Sequence, residues 1–142
     1  MGRGSLMATP LDALCNLAAT GAGLVIDQQQ YTEQDLRALR GVVQASQSTL
    51  LFLATHARAV TEAPRRAQPF SDLCHRAQQG KALTLDLGAP WCYPQADLLV
   101  LTALAREWGG RLYLLNAHTR DSRDLGRIAA KGGKLVTFDL SQ

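Results

Sequence analysis

The chain is short of the residues that usually announce a chemistry. Its three cysteines, Cys15, Cys74 and Cys92, are scattered, with no CxxC pair and no metal-ligand spacing. That pattern argues against a zinc site and a disulfide framework, so no metal or cofactor is expected and the reducing cytoplasm is the simplest home. No GxSxG or HExxH occurs, and the glycines of "TGAG" (20–23) precede a strand where a phosphate loop would leave one. Long apolar runs are lacking too: "ADLLVLTALA" (96–105) is too short for a bilayer and carries Asp97, which predicts no membrane insertion. Charge is thin, 19% of residues with a net +3, and the only adjacent arginines are Arg65 and Arg66 in "APRRAQ". Nucleic-acid binders concentrate their charge more than this, so nucleic acid is not expected as a partner.

What the chain does have is enough apolar material, 46% of 142 residues, to bury one core without staples. Residues 1–7 read as a cloning remnant or disordered start, and 8–142 as a single α/β repeat domain. Within it five segments share a pattern: "PLDALCNLAATG", "TEQDLRALRGVV", "PFSDLCHRAQQG", "PQADLLVLTALA" and "DSRDLGRIAAKGG". Each sets a helix-starting residue four positions before a leucine: Pro10 before Leu14, Thr32 before Leu36, Pro69 before Leu73, Pro94 before Leu98 and Asp121 before Leu125. Proline suits a first helical turn, threonine and aspartate cap exposed N–H groups, and an early acid complements the positive dipole end. Gly21, Gly80, Gly109 with Gly110, and Gly132 with Gly133 mark where four of the helices stop.

Each helix runs straight into a short strand: "GLVID" (23–27), "TLLFLAT" (49–55), "ALTLDL" (82–87), "RLYLLNA" (111–117) and "LVTFDL" (135–140). The key leucines are 22, 37, 25 and 27 residues apart, and the long interval holds "ARAVTEAPRRAQ" (57–68), which reads as a loop insertion. Alternating helices and strands demand a parallel sheet, here five-stranded. Strand 3 alternates apolar and polar residues, whereas strands 2 and 4 are apolar on both faces and require cover on both, which a second copy of the chain would supply.

On these repeats the chain resembles a short bacterial leucine-rich-repeat-like βα solenoid, which implies stacked units, helices on one side and a protein-binding surface. A doubly wound α/β domain is the alternative. "KALTLDLGAPWCYPQADLLVLTALAREWGGRLYLLNA" is also similar to anti-sigma-factor-antagonist domains, which would imply a regulatory α/β sandwich, but the family's phosphorylatable serine falls near Tyr93 to Ala96, where this chain has none.

Candidate site residues cluster where strands end. "TLLFLATHAR" and "YLLNAHTR" place His56 over His118 and Arg58 over Arg120, with Gly88 leaving space between if strands 2, 3 and 4 are neighbours. The histidines would then stand roughly 10 Å apart, suited to holding a small anion or acidic side chain. The plainer reading has these residues capping carbonyls or pairing with the next helix start. Trp91 and Tyr93 in "APWCYP" read either as interface anchors or as a plug over the sheet edge. Trp108 is expected in the core and His75 on an outward helix face. The leading functional expectation is a non-enzymatic protein-interaction module of unidentified partner. It is expected to homodimerise through "LVTFDL", since strands 1 and 5 would be sheet edges. The alternatives are an anionic-ligand binder or enzyme using His56, Arg58, His118 and Arg120, and an antagonist-like regulator.

Overall fold

The computed structural model describes residues 10–48, 50–52, 68–88 and 93–140. His56, Arg58, Trp91, Cys92, the N-terminal seven residues and most of the 57–68 insertion lie outside that set. The chain is an α/β protein in which helices alternate with parallel strands: α1 (Leu11–Ala19), β1 (Gly23–Ile26), α2 (Glu33–Ser46), β2 (Leu50–Phe52), α3 (Phe70–Gln78), β3 (Ala82–Asp86), α4 (Gln95–Trp108), β4 (Arg111–Leu115), α5 (Ser122–Gly132) and β5 (Val136–Asp139). Among the described residues, no helix is long and apolar enough to cross a membrane.

The repeated helix start has a repeated geometry. Pro10, Thr32, Pro69, Pro94 and Asp121 are the five N-cap residues. From each, the carbonyl accepts the N–H of the leucine four residues on, at 3.1 Å for Leu14, 3.0 Å for Leu36 and 3.1 Å for Leu73, Leu98 and Leu125. Thr32 and Asp121 add side-chain caps, accepting from the N–H of Asp35 and Arg123. The prolines sit one position earlier than a first-turn proline, with extended ψ near 150° at Pro10 and 148° at Pro94. That position suits a residue without an N–H, because a cap contributes its carbonyl to the helix. All five leucines are buried, each stabilising the fold by roughly 1.5–3 kcal/mol relative to exposure. Gly21, Gly80, Gly109 and Gly133 adopt the positive φ expected at helix ends, while α2 closes on Gln47 at φ 56°.

Four strands of four or five residues form the body of the sheet, with the three-residue β2 at one edge. The order is β2-β1-β5-β4-β3, and the paired strands are parallel. The connections β1 to β2, β3 to β4 and β4 to β5 each step to the next strand in one direction. The helices follow in the same row: α2 touches α1, α1 touches α5, α5 touches α4 and α4 touches α3. All five helices therefore lie on one face, and the helices on both faces that a doubly wound sheet requires are not found among the described elements.

The helix-side face of the sheet carries the core: Leu24 and Ile26, Phe138, Leu112 and Leu114, Leu83 and Leu85, all buried. Gly132 lets α5 press against α4 and β5, since a Cβ there would overlap Val136 Cγ2 and lie 2.8 Å from Thr102 Cγ2.

Three expectations need correction. β5 is central, paired with β1 and β4, so "LVTFDL" offers no free edge to a second copy. Its apolar residues are explained by burial in the middle of the sheet. β2 and β4 are three strand positions apart, about 14 Å, and β3 does not lie between them, so strand exits 2 and 4 do not flank Gly88. The third concerns the face away from the helices, where Val25 (0% exposed), Asp139 (1%) and Leu115 (2%) are already buried within the single chain. A second copy is not required to cover them.

Candidate functional site

At the carboxyl ends of β3 and β4 the polar residues form a tie. Asp86 Oδ1 accepts from the Gly88 N–H at 2.9 Å and from Asn116 Nδ2 at 2.7 Å. Asn116 holds a left-handed backbone, φ 54°, which swings its amide across to the neighbouring strand. Asparagine tolerates that region because its short polar side chain can bond locally. A Cβ on Gly88 would come within 3.0 Å of Asn116 Cβ, so the space it leaves is taken by Asn116. Thr119 Oγ1 donates toward the carbonyls of Asn116 (2.8 Å) and Leu87 (3.3 Å).

Of the six site residues expected from the sequence, Tyr93, His118 and Arg120 are described. Arg120 Nη2 donates to the Tyr93 carbonyl at 2.8 Å, fastening the start of α4 to the loop after β4. Tyr93 is buried in the core, and its hydroxyl, also buried, has no hydrogen-bond partner among the described residues. His118 is partly buried in the 3-10 turn Ala117–Thr119. The structure thus joins Arg120 to Tyr93 through a carbonyl, the capping role weighed for these arginines.

Elsewhere the two described thiols, Cys15 and Cys74, are quiet. Burial, reinforced by the Asp12 carboxylate, pushes the Cys15 thiol above its ordinary value, and burial with Asp97 does the same for Cys74. Both favour the protonated, unreactive form. His75 is exposed on α3 as expected, its ring 3.1 Å from Gln79 Nε2. Trp108 departs from expectation: it is 51% exposed at the end of α4. The inner face of that helix is occupied by Leu98, Leu101, Thr102 and Ala105. Trp108, seven residues beyond Leu101 and so on the flank of that face, is exposed because α4 ends there at the Gly109 cap, while Val100, 45% exposed, faces outward.

A second polar constellation was not anticipated. At the amino ends of β1, β5 and β4 a cleft of about 130 Å³ is lined by Gly23, Thr137, Tyr113, Arg111 and Lys134, with leucine completing its walls. Register places Gly23 beside Thr137 and Thr137 beside Tyr113. Arg111 lies two residues before Tyr113, on the same face of β4. The sequence carries half of the signal, since Arg111 and Tyr113 alternate with the core residues Leu112 and Leu114. The adjacency of β1, β5 and β4 is the other half, and it is not local information. No protein-family model, curated protein or solved structure matches the chain.

Proposed function

We propose that the chain is a non-catalytic protein-interaction module on a leucine-rich-repeat-like βα scaffold, with the outer side of α4 as its contact face and a second copy of the chain as partner. The observation that carries this reading is the line Val100, Leu104 and Trp108. Steps of four residues put the three on one stripe of the helix. Val100 and Trp108 are exposed, and Leu104 is partly so. Leu104 rests against the edge of the core, while the exposed surface of Val100 and Trp108 adds little to packing within the chain.

Exposed apolar area forgoes about 25 cal/mol per Å² that burial would return. A tryptophan with aliphatic neighbours on an outer helix face is the usual composition of an interface anchor. Pairing about a twofold axis requires only that a patch match itself. Glu107 is exposed on the outer side of α4 and gives the rim an acid, while Arg106 is turned to α5, its Nη1 donating to the Lys131 carbonyl at 2.9 Å.

The scaffold reading draws on the five equal helix starts and on strand order. Counted from the β3 edge the order is 3-4-5-1-2, which is sequential stacking cut once and rejoined. Tyr93, His118 and Arg120 enter this reading as ties that hold strand exits to helix starts.

Sedimentation velocity up to tens of micromolar tests the proposal. The expected result is a dimer that Val100→Asp with Trp108→Glu converts to monomer while circular dichroism and melting temperature stay nearly unchanged, as exposed substitutions should. A wild-type chain that remains monomeric throughout defeats the self-association reading.

A further inference from the structure

We propose that the cleft at the amino ends of β1, β5 and β4 is an oxyanion site that takes a phosphate group, free or as a monoester. This inference is independent of the α4 contact, which lies on the other layer of the molecule.

The cleft's chemistry is one-sided. Two cations, Arg111 and Lys134, and two hydroxyls, Tyr113 and Thr137, line it, and no acidic residue is among its described lining. Arg111, Tyr113 and Thr137 make no side-chain hydrogen bond or ion pair among the described residues, so their donors are available to a ligand. A volume of about 130 Å³ accommodates roughly four waters at liquid density, enough for a phosphate group.

Lys134 and Thr137 are held in place. Lys134 Nζ donates to Gln47 Oε1 at 3.3 Å, at the end of α2. Its stem passes over Gly21, where a Cβ would stand 3.0 Å from Lys134 Cγ. A Cβ on Gly23 would stand 2.8 Å from Thr137 Oγ1, so glycine at that position leaves the threonine hydroxyl room on the cleft floor. Charge-assisted bonds from guanidinium and ammonium, with hydroxyl donors beside them, match the several acceptor oxygens of a phosphate better than the two of a carboxylate.

The helix C-termini end near this side of the sheet, and their partial negative charges oppose an anion. They belong to the helix layer, behind the face that carries Arg111, Tyr113 and Thr137, and Lys134 stands between, its stem over Gly21 after α1 and its ammonium on Gln47 at the end of α2. The terminal carbonyls are also partly satisfied, for instance that of Ala105 by the Gly110 N–H at 2.8 Å. Two full positive charges at the cleft outweigh these screened partial ones.

The test is an amide proton–nitrogen NMR titration of the whole chain with inorganic phosphate, phosphoserine and, as the carboxylate control, acetate. The expected result is saturable shifts at Gly23, Leu112, Tyr113 and the residues around Lys134 to Thr137. Those shifts should fall at least tenfold in apparent affinity in Arg111→Gln with Lys134→Gln. The melting temperature of that variant without ligand should match wild type, because Arg111 is exposed and Lys134 keeps only one weak tie. Thr137→Val supplies a second variant that retains both cations and should weaken binding severalfold. Tighter binding of phosphoserine than of inorganic phosphate supports an ester ligand, and equal binding supports the free anion. Absence of saturable shifts, equal shifts in the double variant, or acetate binding as tightly as phosphate would each overturn the assignment.

Discussion

Two glycines on one helix should respond to the same substitution with opposite sign. Gly126 and Gly132 both belong to α5, Ser122–Gly132. A Cβ added at Gly126 meets nothing within 4 Å. Gly126→Ala therefore carries only the backbone effect of replacing glycine inside a helix, a gain of about 0.5–1 kcal/mol. At Gly132 the same methyl overlaps Val136 Cγ2 and lies 2.8 Å from Thr102 Cγ2. Neither neighbour can swing away easily: both are fully buried, and β-branched side chains are stiff at χ1. Overpacking of this kind costs about 1–3 kcal/mol, and at the last helical residue the propensity gain that would offset it is small.

For a chain of this length a change of 1 kcal/mol moves the melting temperature by roughly 3 °C. Gly126→Ala should thus melt about 1.5–3 °C higher and Gly132→Ala about 3–9 °C lower by scanning calorimetry at fixed protein concentration. The two sites share no contact partner on Gly126's side, so their effects should add in the double variant. A Gly132→Ala protein as stable as wild type would mean that α4, α5 and β5 do not approach as closely as the packing argument requires. A destabilised Gly126→Ala would mean that its methyl is not in open space.

Two further outcomes follow from the fold and the thiols. Because α1 lies beside α5 and β1 beside β5, a permuted chain that links Leu140 to Pro10 through a short loop and opens within residues 57–67 should keep its circular dichroism spectrum and melt cooperatively; a molten product would contradict the cyclic strand order. In a Cys92→Ser background, Cys15 and Cys74 should be alkylated more slowly at mildly alkaline pH than a free thiol, since burial and the neighbouring acids raise both values above 9.0. The sign for stability is definite: the unfolded thiols ionise first, so this contribution is whole below about pH 9 and declines as pH rises through the folded values. Alkylation at the rate of a free thiol would refute it.

Much of the local structure was legible in the residues, and the reason is the range of the forces involved. A helix start is decided within four residues by an N-cap, an early acid and the first buried leucine, so Thr32 and Asp121 could be read directly as caps, and Pro10, Pro69 and Pro94 as helix starts that stand one position earlier than the first turn expected of them. Strand 3 revealed its two faces through simple alternation, and positive-φ glycines marked helix ends because few other residues go there. The candidate site was less legible. Arg120 could be placed at a strand exit, but that it fastens the Tyr93 carbonyl depends on residues 27 apart in the chain meeting in space.

Strand order was decided only by tertiary structure. The repeats would stack in sequence order just as well by their local signals, yet β5 enters beside β1 and the long connection joins the two edges. That choice moves Phe138 from an expected edge to the middle of the core, sets β2 and β4 three strand positions apart, and brings Gly23, Thr137, Tyr113 and Arg111 to one cleft. The physical reason is that backbone pairing between parallel strands is nearly indifferent to which strand is the neighbour. The sequence by itself therefore determined the units, and long-range packing of whole faces determined their order and the site that the order creates.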